Sequence, residues 1–236
     1  MERLGQRFDR LALVALALGA LFLAARAWLH DHPQHNPWAP FDLNDPPGWA
    51  TRHKFADLRK NPEECRAALE RSGVTFRVLP PAGEGECRRE DRTILTGGPL
   101  TPSLPQTTCS VAAGFELWLR QGVQPAAQAL FGERVARIEH FGAYSCRRMY
   151  GRATGRWSEH ATGNALDISA FVLADGRRIS VLEDWDDEGE EAAFLRSVRK
   201  EACEVFGTVL SPEYNAAHAD HFHLDQAARG FGGFCR

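Results

Sequence analysis

Two short segments of this chain carry the residue types of a single-metal site, and they must meet in space if they form one. The segments are 158–168, with His160 and Asp167, and 218–224, with His218, His221 and His223. Two imidazoles and one carboxylate suit a catalytic zinc ion, because three protein ligands leave the fourth position to water. Hydrolysis is therefore the first hypothesis for function.

The spacing within both segments indicates how they reach one point. His221 and His223 are two residues apart in a strand-like stretch, so they point to the same face. Asp167 belongs to a second strand-like run, residues 164–171, and Gly163 allows the chain between His160 and Asp167 to turn tightly. The sequence thus predicts a site built from two strands and a turn.

The motifs also resemble a known group of zinc peptidases. Ser-x-His-x-x-Gly-x-Ala-x-Asp at 158–167, followed by His-x-His at 221–223, is similar to D-alanyl-D-alanine carboxypeptidases and dipeptidases, murein endopeptidases and hedgehog domains. More closely, four segments resemble the bacterial extensin-like C-terminal domain, a branch of that superfamily. They are Tyr-Ser-Cys-Arg at 144–147, Ser-Glu-His-Ala at 158–161, Asn-Ala-Leu-Asp at 164–167 and Gly-Gly-Phe-Cys at 232–235.

This resemblance, which covers roughly residues 55–236, implies a ligand set and a cofactor. His160, Asp167 and His223 become the metal ligands, and the metal is Zn²⁺. His221 then stands beside the metal rather than on it, where an imidazole can take or return a proton near neutral pH.

The general base has two candidates. Asp220 occupies the place of a Glu that serves as base in the dipeptidase branch, but it is one methylene shorter. The pattern His218-x-x-His221-x-His223 instead resembles the murein endopeptidases, in which histidines replace that Glu. We favour His221 as base or transition-state stabiliser and keep Asp220 as the alternative. His218 either supports the site or lies in a loop.

A cation is still needed to stabilise an oxyanion or to bind a substrate carboxylate. Arg147 is the candidate, because its segment resembles the Gly-Tyr-Arg-Ser motif of the superfamily. Arg148 is the alternative. The competing interpretation of Arg147 is a salt bridge near a turn.

The N-terminus predicts export. Residues 11–25 form an uninterrupted apolar run that follows Arg3, Arg7 and Arg10. This run is short for a membrane span of ~20 residues but suits a signal peptide, and residues 25–27 (Ala-Arg-Ala) are a plausible cleavage site. Extended through residue 29, it fits an uncleaved signal anchor equally well. We therefore expect a periplasmic protein that either loses residues 1–29 or uses residues 11–29 as an inner-membrane anchor.

Cysteine usage agrees with an oxidising compartment. The six cysteines are Cys65, Cys87, Cys109, Cys146, Cys203 and Cys235, with no Cys-x-x-Cys among them. The even count predicts three disulfides. Proximity along the chain favours Cys65 with Cys87; Cys203 with Cys235 would hold the C-terminus beside the last metal ligand, and Cys109 with Cys146 follows by elimination.

The chain has room for one substantial domain, expected to be monomeric. Residues 30–54, with five prolines between 30 and 50, predict a flexible linker, and residues 55–236 form the domain. The net charge of −3 does not indicate a nucleic-acid-binding protein, because such proteins carry an excess of positive charge.

Local patterns predict helices and strands that alternate without a βαβ rhythm. Helices are expected from Pro62 to about Gly73, over 107–131 with a break near Gly122 and Pro125, and over 190–206; strands over 74–79, 135–144, 165–173, 177–182 and 221–225. We predict an α+β fold with a mostly antiparallel central sheet flanked by helices, as the resemblance also implies.

The function implied by the resemblance is hydrolysis of peptidoglycan peptide amide bonds next to a D-amino acid. The alternative is a non-catalytic, zinc-containing module that binds cell wall or protein, as hedgehog-type relatives illustrate. Carboxypeptidase and endopeptidase activity both remain open.

Overall fold

The computed structural model describes residues 2–229 and 233–236, so Gly232 of the terminal motif lies outside the described residues. The helices are α1 (Glu2–Asp31), α2 (Thr51–Leu58), α3 (Pro62–Arg71), α4 (Cys109–Trp118), α5 (Gln124–Phe131), α6 (Val181–Asp184) and α7 (Glu190–Val205). The strands are β1 (Phe76–Val78), β2 (Thr93–Leu95), β3 (Leu100–Thr101), β4 (Val135–Gly142), β5 (Ala165–Leu173), β6 (Arg178–Ser180), β7 (Thr208–Leu210), β8 (Phe222–Asp225) and β9 (Phe234–Cys235).

The main sheet has seven strands in the order β3-β4-β5-β8-β7-β9, with β6 also paired to β5. Strand β5 lies at its centre and runs antiparallel to β4, β6 and β8. The pairs β3–β4 and β7–β9 are parallel. The fold is α+β in one domain, but the sheet is mixed, and the prediction of a mostly antiparallel sheet was wrong.

The parallel pairs have a simple physical origin. Parallel strands need a long crossover, and helices α4 and α5 supply one between β3 and β4. Strands β3 and β9 each have only two residues. Such short strands carry no alternation that a sequence pattern can detect.

The helices pack around the buried α4, whose Trp118 lies at the centre of the core. The Trp118 indole N–H donates to the carbonyl of Val198 on α7 at 2.7 Å. The predicted break at Gly122 is instead a π-helical turn, Leu119–Val123, that joins α4 to α5. A Cβ at Gly122 would lie 2.8 Å from Glu201 Cβ, so the glycine permits close approach to α7 rather than ending the helix.

Other local predictions are confirmed. The Asn61 side chain accepts the N–H of Glu64 and Pro62 begins α3, as its capping sequence indicates. The hairpin between β5 and β6 turns through Gly176, which has φ of +93°.

The N-terminal helix α1 contains a stretch, Arg10–Asp31, that is long and apolar enough to cross a membrane. The leucine side chains between residues 11 and 23 are exposed. Together with the disulfides, this helix indicates a signal or anchor segment and an exported domain.

Residues 30–54, expected to form a flexible linker, contribute to the core. Phe41 and Leu43 are buried, and the Leu43 N–H donates to Ser72 Oγ at 2.9 Å. Helix α2 begins inside this range and also packs on the domain. Proline restricts the backbone angle φ but does not prevent burial, so a proline-rich segment can pack against the core.

Three disulfides form, with two pairings that differ from the prediction. They are Cys65–Cys109, Cys87–Cys146 and the expected Cys203–Cys235. Packing of α3 against the start of α4 brings the Cα atoms of Cys65 and Cys109 to 6.0 Å. Proximity along the chain failed as a guide because this helix contact, not loop length, decides which cysteines meet.

Candidate metal centre

Three elements bring His160, Asp167 and His223 together. His160 lies in a 3-10 turn, Glu159–Thr162, that begins at Ser158, whose Oγ accepts the His160 N–H. The turn ends at Gly163 with φ of +72°, a conformation that favours glycine, and the chain enters β5. Asp167 on β5 is the register partner of His223 on β8.

The side chains of these three residues form a small triangle of potential ligand atoms. His160 Nε2 lies 3.1 Å from Asp167 Oδ2 and 3.1 Å from His223 Nδ1, which lies 2.9 Å from Asp167 Oδ1. Ligand bonds of about 2.0–2.1 Å around a tetrahedral ion require ligand atoms about 3.3 Å apart. The triangle is within a few tenths of an ångström of that spacing.

The outer nitrogen of each imidazole is held by an acceptor. His160 Nδ1 donates to the carbonyl of Ala143 at 3.1 Å, and His223 Nε2 donates to Asp225 Oδ2 at 3.1 Å. Each neutral ring then directs a lone pair into the triangle, which is how metal-bound histidines are oriented. Two lone pairs and a carboxylate that converge at this distance are suited to a cation, so the donor set fits zinc.

The pKa values of Asp167 and His223 also indicate that the site favours a bound positive charge. Burial disfavours the charged form of Asp167, but hydrogen bonds from His160 and His223 outweigh it and hold its pKa well below its usual range. Burial likewise disfavours a charged His223, yet its bonds to Asp167 and Asp225 raise its pKa to about 9. A proton therefore balances the two carboxylates, and a metal cation could take its place.

His221 lies beside the triangle, just before β8. Its Nε2 is 3.6 Å from Asp167 Oδ1, and its Nδ1 donates to Asp220 Oδ1 at 2.8 Å. The Asp220 side chain is 48% exposed and contacts the site through His221. Asp220 is thus placed to orient the imidazole.

His218 completes the histidine cluster, with its ring centroid 5.2 Å from that of His221. Burial and the neighbouring His221 and His223 lower the pKa of His218 to about 4, so it is neutral at pH 7. Its Nδ1 donates to Asn215 Oδ1 at 2.8 Å, which leaves Nε2 as an acceptor. The Asn215 amide in turn donates to the Tyr150 hydroxyl at 3.1 Å.

A match to one known protein family covers all the residues of this candidate site. Residues 63–236 match the family described as extensin-like protein C-terminus. The chain belongs to this extensin-like family. Comparison with curated proteins and with solved structures gives no match.

In this extensin-like domain the triangle opens into a cleft of about 260 Å³. Arg147 lines the cleft, as do His218 and His221. Arg148 does not line the cleft, and its guanidinium stacks over the Trp157 ring at 4.4 Å. Arg147 is therefore better placed than Arg148 to contact a ligand.

The cleft and supporting residues of the extensin-like domain that were not predicted from its sequence include Asp225, Asn215, Arg156 and Arg229. Strand periodicity was a usable signal for Asp225, which is two residues after His223 and shares its face. Asn215 also has a local signal, because it caps the 3-10 turn Ala216–His218 and asparagine is favoured at that position. Arg156 and Arg229 have no such signature.

Proposed function

We propose that this extensin-like protein is a zinc-dependent hydrolase of amide bonds in peptidoglycan peptides. The triangle of His160, Asp167 and His223, with both outer imidazole nitrogens held by acceptors, supports this proposal most directly. Cleavage next to a D-amino acid is suggested by the resemblance to D-alanyl-D-alanine peptidases and murein endopeptidases.

The three triangle residues would hold the ion. A bound zinc supplies Lewis acidity, which polarises a carbonyl and makes water acidic enough to react at neutral pH. His221 would accept a proton at Nε2 and return it to the leaving amine, while Asp220 holds its Nδ1–H. Arg147 would donate to the oxyanion or to a substrate carboxylate.

The open cleft favours turnover over a purely structural role for the metal. Structural zinc sites are closed by four protein ligands, whereas catalytic sites use three and leave a position for water. His221 and His218 stand at the cleft side of this triangle. A binding module that contains zinc remains the second candidate, and the experiment below separates it from the enzyme.

The proposed location is the periplasm, with α1 either removed as a signal peptide or retained in the inner membrane. This places the cleft in the compartment that contains peptidoglycan. The disulfides support the location because they persist in an oxidising environment.

Incubation of the purified protein with muropeptides, followed by mass spectrometry of the products, tests the proposal. We expect new peptide fragments with the wild type plus zinc and none with His223→Ala. Fragments that appear equally with both proteins would contradict the enzyme assignment. Zinc-loaded wild type that binds muropeptides without cleaving them would favour the binding module.

A further inference from the structure

Three arginines line the cleft: Arg147, Arg156 and Arg229. All three side chains are exposed. No carboxylate in residues 10–229 or 233–236 forms an ion pair with them. Their guanidinium groups are therefore available to a ligand.

Two of these arginines lie on one structural unit, the arm between β4 and β5. The Ser158 N–H donates to the Arg147 carbonyl at 3.1 Å, and the Met149 N–H donates to the Arg156 carbonyl at 3.0 Å. Between these bonds Arg148 pairs with Trp157 in an antiparallel bridge. Because side chains alternate across such a pair, Arg147 and Arg156 share the face opposite Arg148.

The third arginine approaches from a different part of the chain. Arg229 follows β8, and its Nε–H donates to Thr208 Oγ1 on β7 at 2.9 Å. This bond engages Nε–H, and within residues 10–229 and 233–236 the terminal N–H groups of Arg229 form no hydrogen bond. The cations thus reach the cleft from two separate elements rather than from one charged loop.

The acidic residues of the cleft are already engaged. Asp167 and Asp225 hold the imidazoles of the triangle, and Glu159 Oε2 accepts from the Asn164 amide at 2.7 Å. A bound Zn²⁺ would balance Asp167 and Asp225. Glu159 alone would then face three arginines, so the metal-loaded cleft is cationic.

We propose that the cleft selects peptides with several free carboxylates, and that Arg156 and Arg229 determine this specificity together with Arg147. Arginine binds carboxylates in a bidentate manner, and each such pair is stronger than a neutral hydrogen bond. This inference rests on the proposed function, since it names which peptides the same site accepts. Amidated peptides would lose these contacts.

Binding to a zinc-loaded His221→Ala protein tests the inference without turnover. The probe is L-Ala-γ-D-Glu-meso-diaminopimelyl-D-Ala, which has a free carboxylate on every residue after the first, compared with the same peptide amidated at those groups. Calorimetry with the full chain in detergent should give at least about tenfold tighter binding for the free acid, the size of one charge-assisted hydrogen bond.

Arginine variants of the His221→Ala protein show which side chains cause the preference for the free-acid peptide. Arg156→Gln and Arg229→Gln should each reduce the preference for the free acid by about fivefold or more. Arg148→Gln is the matched control, because it removes a cation from the same arm that does not line the cleft. Equal loss in Arg148→Gln, or equal affinity for the two peptides, would overturn the inference.

Cleavage by wild type is measured separately, so the two proposals fail in different ways. Preferential binding of the free acid with no cleavage of either peptide supports the specificity and contradicts the hydrolase. Equal binding and equal cleavage of both peptides support the hydrolase and reject the specificity.

Discussion

Asp167 and His223 face each other across the antiparallel pair of β5 and β8, and Asp167 Oδ1 lies 2.9 Å from His223 Nδ1. Cross-strand partners are held by the ladder of backbone hydrogen bonds, so this distance is set by the sheet rather than by flexible loops. His160 joins the pair from the turn just before β5. A metal site with this support should be formed before the metal binds.

The first prediction concerns metal content. Full-length protein purified without chelator should carry about one zinc per chain, as expected for a site with three ligands. A His160→Ala, His223→Ala double variant should carry almost none, as measured by elemental analysis. The exposed His53 provides the control, and His53→Ala should keep its zinc. Equal zinc in the double variant and the wild type would rule out these ligands.

The second prediction separates the base from the ligands. His221→Ala should keep its zinc and lose roughly a hundredfold or more of kcat, the contribution of a positioned acid–base group. Asp220→Asn should lose less, because Asp220 acts only by orienting His221. Steady-state kinetics and zinc content are measured on both variants. If Asp220→Asn were inactive while His221→Ala retained activity, Asp220 would be the base.

The third prediction concerns pH and the metal-free protein. His223 has its pKa raised from 6.5 to about 9, so the folded state holds this proton more tightly than the unfolded chain. Its stabilisation is complete below pH 6.5 and is lost as the pH rises through about 9. Thermal melts of metal-free protein should therefore decline over this window. The decline should be absent with zinc bound, because the cation replaces the proton. Parallel curves with and without zinc would contradict this assignment.

The fourth prediction concerns the disulfide between Cys203 and Cys235, which closes a loop containing His218, His221 and His223. A disulfide of this kind contributes about 2 to 4 kcal/mol to stability. A Cys203→Ser, Cys235→Ser double variant should melt at a lower temperature and also lose zinc more readily.

The matched control for that disulfide is the Cys65→Ser, Cys109→Ser variant, whose bond joins α3 to α4 away from the cleft. It should lower the melting temperature with a smaller effect on zinc retention. Peptide mapping without reductant checks the pairing itself. Free thiols at Cys203 and Cys235 in protein from an oxidising compartment would refute the prediction.

Several features of this protein could be read directly from its sequence. The cap of α3 at Asn61, the turn at Gly163 and the hairpin at Gly176 depend on contacts within a few residues. Local chemistry and the two-residue period of a strand are sufficient for such features. The bond from Cys203 to Cys235 was also predicted, because the two cysteines flank the segment that contains His221 and His223.

Other features were decided by tertiary structure alone. The partners of Cys65 and Cys87, the parallel strand β3, the approach of Arg229 to the cleft and the hydrogen bond from Asn215 to Tyr150 all join residues far apart in the chain. Burial of Phe41 and Leu43 in a proline-rich segment is a further case. Such contacts follow from how whole helices and strands pack against one another, and packing is a property of the complete core that no local pattern encodes.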